Sequence, residues 1–180
     1  MSVEQPMHDS DPCASSASSD PADAFNATPS DAALTEFFRE SPAAVAAAKH
    51  LRSGAEVGVS FTDMPGSWRF HALDGKPTLE TGAPLAPDFE LRLGSGAVRD
   101  LCAHPKADIG DLGILFFEHI VARQPENQIR VKLHSGLVKL TMRGWLSVMA
   151  QGGPKVVRWL AHKGLSGPSA VASALVKLKG

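Results

Sequence analysis

One cysteine and two histidines are the residues of this chain whose types could form a nucleophilic site. Cys102 and His104 lie two positions apart, and His119 belongs to the next predicted helix, so the three side chains could meet across two helices. An imidazole beside a thiol can activate it as a nucleophile. A lone cysteine on an apolar helix face is more often a buried structural residue. We therefore predict no catalytic residues and no enzymatic activity.

A glycine-rich turn offers a second possible chemistry. Gly94, Ser95 and Gly96 follow a predicted strand and open a helix, an arrangement that can present backbone amides to an anion. The same residues suit an ordinary strand-to-helix turn, which is the interpretation we adopt. The sequence contains no phosphate-binding loop, dinucleotide-binding glycine motif, zinc-protease motif or serine-hydrolase elbow. Its seven histidines lack metal-ligand spacing, so we expect neither a metal nor a cofactor.

Composition and charge narrow the class of protein. Of the 180 residues, 43% are apolar and 21% are charged, which is typical of a globular protein and excludes collagen-like and disulfide-rich classes. The formal net charge of −1 excludes a uniformly basic nucleic-acid binder. The sequence has no apolar run long enough for a transmembrane helix and no signal-peptide pattern. We expect a cytoplasmic protein that can associate peripherally with the inner membrane surface.

The chain divides into three parts by composition. Residues 1–30 are rich in Ser, Asp, Ala and Pro and hold few large apolar side chains, so we expect a disordered acidic leader. Residues 31–153 are long enough for a single domain. Residues 154–180 are predicted to be a basic, amphipathic helical extension. Residues 123–180 hold ten basic residues and one acidic residue, a net charge of +9, which suggests an anionic partner.

Apolar periodicity predicts helices packed on a sheet. Alternation of apolar with small or polar residues marks segments that we predict to be strands: 57–61, 68–72, 78–81 and 89–93. Helical spacing marks segments that we predict to be helices: 31–40, 42–53, 96–104, 109–121, 145–151, 154–163 and 170–178. The predicted fold class is α+β. We expect a mostly antiparallel, twisted sheet of about five to six strands, covered on one face by helices that enclose an apolar cavity, with extra C-terminal helices.

The last two strands are predicted to form a hairpin. Residues 129–134 and 137–142 alternate in the same way on either side of Ser135 and Gly136, a two-residue turn signal. This turn would put every apolar side chain of both strands on one face. The opposite face would be basic, carrying Arg130, Lys132, His134, Lys139 and Arg143.

From Val57 to about Gln151 the chain resembles the sterol carrier protein type 2 family, whose members are small α+β lipid-binding domains. The corresponding pieces follow the family's order: Trp68, Asp88–Leu93, the helix from Gly96, Phe116-Phe117, Val138–Gly144 and Trp145–Met149. The sequence departs from the family in its longer segment 118–135 and in the basic tail after Gly153. Both differences would alter the mouth of a cavity, so the family's ligand does not carry over.

The resemblance implies an apolar tunnel between sheet and helices and no catalytic residue. The protein would bind or transfer a hydrophobic lipid, such as a sterol, fatty acyl or isoprenoid chain, or shield a lipid intermediate for other enzymes. The residues expected to line the cavity are Phe89, Leu91, Leu93, Leu101, Leu112, Leu115, Phe116, Ile120, Val138, Leu140, Met142, Trp145, Leu146 and Met149. The alternatives are a ligand-free scaffold of the same fold, an enzyme of unrecognised type, and nucleic-acid binding, which only the basic hairpin face and two tryptophans favour.

The predicted helix over residues 154–163 has a basic side and an apolar side. At 100° per residue its basic residues share one arc, and an aromatic residue lies at the border with the apolar side. We predict transient docking on anionic membrane surfaces through Lys155, Arg158, Trp159 and Lys163. The competing interpretation is that the apolar side simply packs on the domain.

Overall fold

A computed structural model describes residues 29–163 of the chain. Residues 1–28 of the leader predicted over 1–30, and the predicted terminal helix over residues 170–178, lie outside the described residues. The elements follow in this order: α1 (Ser30–Glu40), α2 (Pro42–Ala48), β1 (Glu56–Phe61), β2 (Trp68–Leu73), β3 (Lys76–Thr81), β4 (Phe89–Leu93), α3 (Ser95–Cys102), α4 (Ile109–Val121), a 3-10 helix (Pro125–Asn127), β5 (Ile129–Leu133), α5 (Leu137–Met142) and α6 (Trp145–His162). Ser30, which the sequence assigns to the leader, is buried, and its hydroxyl donates a 2.7 Å hydrogen bond to Asp63.

The five strands form one mixed sheet in the order β3-β2-β1-β4-β5. Three neighbouring pairs are antiparallel, and β1 pairs with β4 in parallel. The predicted α+β class and mostly antiparallel sheet are confirmed. The connection from β3 to β4 lies against the sheet at Gly58, where a Cβ would come within 3.0 Å of Pro84. A larger residue here would require Pro84 or Glu90 to shift, so glycine suits this close approach.

The two faces of the sheet differ in chemistry, as the alternation predicts. The helix-facing side carries the apolar core, with Val57, Val59 and Trp68 buried beneath α1 and α3. The opposite face is charged. Arg69 and Glu80 form a cross-strand pair on it, in which Arg69 Nε donates to a Glu80 carboxylate oxygen at 2.9 Å. Helices thus cover one side of the sheet, and polar side chains occupy the other.

Local sequence signals explain where several elements begin. The Ser41 hydroxyl accepts from the Ala44 amide at 3.3 Å, and Pro42 occupies the first helical position of α2. The Asp108 carboxylate caps α4 by accepting from the amides of Gly110 and Asp111, at 2.9 and 3.0 Å. Both caps are local, since each side chain accepts from amides two or three residues further along the chain.

The predicted second strand of the hairpin, residues 137–142, is wrong because this segment forms helix α5. Six residues are too few for periodicity to separate a strand from a helix, and tertiary contacts decide the outcome. The helix brings Arg143 and Trp145, which follow it, onto the carboxylate of Asp88. The match drawn between Val138–Gly144 and the last strand of the sterol carrier family is therefore also wrong.

The basic hairpin face is absent as a consequence of this change. Lys132 lies opposite Glu90 in the β4–β5 register, so a carboxylate faces it across the strands. Lys139 instead lies on α5, with its Nζ 3.9 Å from an Asp88 oxygen. The argument for nucleic-acid binding that relied on this face loses its main support.

The break predicted at Gly152-Gly153 is confirmed. Helix α6 is interrupted at Gly153, whose φ of 45° and ψ of −138° are not helical, and Pro154 follows. The two halves of α6 therefore correspond to the two predicted helices. Between residues 29 and 163, none of the helices combines the length and apolar character needed to cross a membrane.

Candidate functional site

The interface between the sheet and its helices is tight at one end of β4 and β5 and loose at the other. At the tight end Leu93 lies opposite Ile129, and both side chains are almost completely buried. At the other end Leu91 lies opposite Val131, and both are only partly buried, as is Phe89 at the start of β4. We call Phe89, Leu91 and Val131 the open end of the sheet. Apolar side chains retain exposure there although they face the helix layer, so the helices cover this end less completely than the other.

Helix α4 contacts β5, and its large apolar side chains are likewise not fully buried. Eight of its 13 residues are large and apolar, yet the only buried residues of α4 are Gly110 and His119. Leu112, Phe116 and Ile120 pack against the core but stay partly exposed. An apolar helix in a filled core normally buries such side chains. The loose packing of α4 therefore matches that of the open end.

A hollow of about 260 Å³ lies beside α4, at the connection from α3. Its apolar lining comes from Ala107, Leu112, Ile114 and Leu115, and its polar lining from His104, Asp111 and Glu118. Pockets that hold drug-sized ligands measure about 300–1,000 Å³, so this hollow suits a short length of aliphatic chain. A second hollow of about 490 Å³ lies at the far end of β1 and is lined by residues 60–66 and Arg92.

A buried carboxylate fixes α6 beside the open end. Asp88 precedes β4 and is 0% exposed. One carboxylate oxygen accepts from the Ser135 hydroxyl at 2.8 Å and from Arg143 Nη1 at 2.9 Å, and the other accepts from Trp145 Nε1 at 2.8 Å. The Trp145 ring meets the Phe89 ring edge to face, with centroids 4.8 Å apart. This network, the Asp88 cluster, holds an aromatic ring over the start of β4.

The Asp88 cluster stabilises a charged carboxylate in the interior. Burial alone would raise the pKa of Asp88, but hydrogen bonds from Trp145, Ser135 and Arg143, together with the Arg143 charge, hold that pKa below its usual value. Gly144 connects Arg143 to Trp145, the two cluster residues that flank it, and its φ of 88° is a left-handed conformation that suits glycine. A Cβ at Gly144 would lie 1.9 Å from the His50 carbonyl oxygen, so the loop before β1 leaves no room for one.

A second ion pair attaches the other half of α6 to α4. Lys155 Nζ lies 2.5 Å from Asp108 and 2.9 Å from Asp111, at the start of α4. Hydrogen bonds and charge from these two carboxylates raise the pKa of Lys155, and the bond from Lys155 lowers that of Asp108. α6 is thus held at its first residue through Asp88 and at the start of its second half through Asp108 and Asp111.

The residues predicted to line a cavity fall into three groups. Leu93 is buried at the tight end. The partly buried ones are Phe89, Leu91, Leu101, Leu112, Leu115, Phe116, Ile120, Leu140, Trp145 and Leu146. The exposed ones are Val138, Met142 and Met149. The partly buried group includes residues of the open end, of α4 and of the Asp88 cluster.

The residues predicted to dock on membranes have specific contacts within the fold. Lys155 is paired with Asp108 and Asp111. The Trp159 ring stacks on Phe117 of α4 at a centroid distance of 6.2 Å, and Lys163 Nζ lies 5.5 Å from the Trp159 ring. Arg158 is exposed. These contacts give the second half of α6 a packing role against α4.

The possible Cys–His chemistry finds no support in the observed contacts. The Cys102 thiol donates to the Ala33 carbonyl at 3.4 Å, and burial raises its pKa to about 11. A thiol that stays protonated is a poor nucleophile. His119 Nδ1 lies 2.8 Å from the Asn127 carbonyl, and its Nε2 lies 3.5 Å from Asp100. Residues 29–163 contain no group of three or more His, Cys, Asp or Glu that could hold a metal ion.

The glycine turn before α3 serves packing. A Cβ at Gly94 would lie 2.2 Å from the Glu126 carbonyl oxygen, and one at Gly96 would lie 2.0 Å from the Asn127 side chain. The Gly94 amide donates to the Gln128 carbonyl at 3.0 Å. The two glycines are therefore needed for the close approach of the 3-10 helix, and the Gly94 amide already has a protein acceptor.

No protein-family model, curated protein or solved structure matches the chain. The resemblance to the sterol carrier family accordingly stays a prediction. The loosely packed apolar region formed by the open end of the sheet and α4 is the main indication of function.

Proposed function

We propose that the protein binds a hydrophobic lipid chain, without catalysis, between the open end of the sheet and helix α4. The observation that carries the proposal is that apolar side chains of both elements stay partly exposed where α4 contacts β5. Leu91 and Val131 of the sheet, and Leu112 and Phe116 of α4, all keep contact with solvent although they border the core. A lipid chain would complete the burial of these side chains, and burial of apolar area is favourable by about 25 cal/mol per Å².

The chemistry of the lining supports an aliphatic or isoprenoid ligand. The exposed portions belong to Leu, Val and Phe side chains, which offer no hydrogen bond that would select a polar ligand. The hollow beside α4 adds room for a short length of chain, and its lining also includes the polar residues His104, Asp111 and Glu118. A lipid could therefore keep a polar headgroup near His104 or Glu118 while its chain lies against Leu112 and Leu115. We infer a carrier or shielding role, since nothing in this lining activates a bond.

Ligand-free scaffolding is the second candidate. The volume of about 260 Å³ beside α4 favours it, because this volume is below the usual range for ligand pockets. A scaffold would use the same fold with its loosely packed region unoccupied.

Native mass spectrometry of the full chain, followed by organic extraction, separates the two candidates. We expect an adduct in the mass range of a lipid, which organic solvent removes and which can be identified in the extract. A compact protein that carries no adduct, and that takes up none when incubated with oleate or cholesterol, would favour the scaffold.

A further inference from the structure

Helix α5 presents an apolar strip to solvent. Leu137, Val138 and Met142 have exposed fractions of 64%, 75% and 67%. At 100° per residue, these three side chains and Thr141 fall within an arc of about 140°. We call Leu137, Val138 and Met142 the α5 strip. Contiguous exposed apolar side chains on a small protein commonly mark an interaction surface.

One basic side chain borders the α5 strip. Lys139 lies next to Met142 on the helix circumference, and its side chain is 48% exposed; its Nζ is 3.9 Å from buried Asp88, which Arg143 also pairs. Lys132 is exposed on β5, the strand that precedes α5, on the charged face of the sheet. The chain contains no Asp or Glu from Asn127 to Lys163. Glu90, the carboxylate opposite Lys132, lies 3.2 Å from His134, and Asp88 is buried in its own cluster.

We infer that the α5 strip docks the protein on an anionic lipid bilayer. Apolar side chains beside a lysine suit this partner, since the former enter the boundary between headgroups and acyl chains while the lysine contacts phosphate groups. A six-residue helix is only about 9 Å long, so the contact is shallow and reversible. Docking through α5 replaces docking through Lys155, whose charge two carboxylates compensate, and Trp159, whose ring stacks on Phe117. Lys139 differs from Lys155 because its partner Asp88 is already paired with Arg143. It extends beyond lipid binding and is tested separately from it.

Co-sedimentation with vesicles tests the docking surface. We expect the full chain to bind vesicles of phosphatidylcholine with phosphatidylglycerol at low salt, and to bind phosphatidylcholine alone more weakly. The double variant Val138→Ser/Met142→Ser should reduce the partition coefficient by at least about tenfold. The control is Leu73→Ser, which removes another exposed apolar side chain, 55% exposed, at the β2–β3 hairpin on the opposite edge of the sheet. This control should bind as the wild type does.

Three results would overturn the inference. The first is a wild-type chain that ignores anionic vesicles, and the second is a strip variant that binds like the wild type. The third is loss of binding in Val157→Ser/Arg158→Gln with the strip variant unaffected, which would place docking on α6. All substituted positions are exposed, so the thermal midpoints should match that of the wild type and show that the variants fold. The sequence predicts that Val138 and Met142 line a cavity, but both are exposed and belong neither to the open end nor to α4. Binding of a soluble fluorescent fatty acid by the strip variant should therefore be unchanged, which separates failure of docking from failure of lipid binding.

Discussion

The indole nitrogen of Trp145 donates a 2.8 Å hydrogen bond to the carboxylate of Asp88, a residue with no exposed surface. This bond joins the first residue of α6 to the residue that precedes β4. It also sets the Trp145 ring against Phe89, at the open end of the sheet. The buried charge thus positions part of the proposed lipid-binding surface.

Removal of the Asp88 charge should destabilise the fold. Asp88→Asn leaves the largely buried guanidinium of Arg143 without its carboxylate, and breaking a buried ion pair in this way typically costs about 3–5 kcal/mol of unfolding free energy. Urea unfolding of the full chain measures the loss. The matched control, Asp74→Asn, changes an exposed carboxylate in the β2–β3 turn and should stay within about 0.5 kcal/mol of the wild type. Equal effects of the two substitutions would mean that the Asp88 cluster adds little.

The same cluster should make stability depend on pH in the acid range. The pKa of Asp88 in the folded chain is below its value in the unfolded chain, about 3.9. The unfolded state therefore binds the proton more readily, so the stabilisation from Asp88 is fully present above about pH 4 and is lost as the pH falls through the folded-state pKa. A carboxyl ¹³C NMR titration reports this pKa directly. A value at or above that of an exposed aspartate would contradict the prediction.

Gly144 should tolerate no side chain. Gly144→Ala places a Cβ 1.9 Å from the His50 carbonyl oxygen in a left-handed conformation. The conformational penalty alone is about 1–2 kcal/mol, and the clash adds to it. Gly136→Ala provides the control, because Gly136 has a φ of −75° and no atom within 4 Å of its Cβ position. Thermal unfolding should show a clear loss for the first variant and almost none for the second.

The tight and open ends of β5 should respond differently to a larger side chain. Ile129→Phe overfills a site that is 1% exposed, which typically costs about 1–3 kcal/mol. Val131→Phe, two residues along the same face, changes a side chain that is only partly buried and should cost less than Ile129→Phe. The free energies of unfolding from urea titration decide between a filled and an open interface. Similar losses at both positions would show that the helices fill the space above Val131.

Much of the fold could be predicted because its signals are local. The alternation of Val57 and Val59 predicts a strand with one buried face, and the Asp108 cap predicts the start of α4. The segment 137–142 could not be assigned in this way, since its apolar residues fit a strand or a helix and the contacts of the following residues select the helix.

The Asp88 cluster could not be predicted from sequence, although Asp88 and Trp145 both belong to quoted motifs. Its partners Ser135 and Trp145 lie 47 and 57 positions away in the chain. No local pattern indicates that such distant residues meet. The loose packing at the open end is equally invisible in the sequence, because a partly filled interface and a filled one use the same residue types.

Titration of the full chain with a fluorescent fatty acid tests lipid binding most directly. We expect saturable binding, weakened by Val131→Phe because the new ring occupies the space above the open end, and unchanged by Leu73→Ser on the opposite edge of the sheet. A competing unlabelled fatty acid should displace the probe. A wild-type chain that shows no saturable binding of fatty-acid or sterol probes, or one that binds equally well after Val131→Phe, would contradict the account.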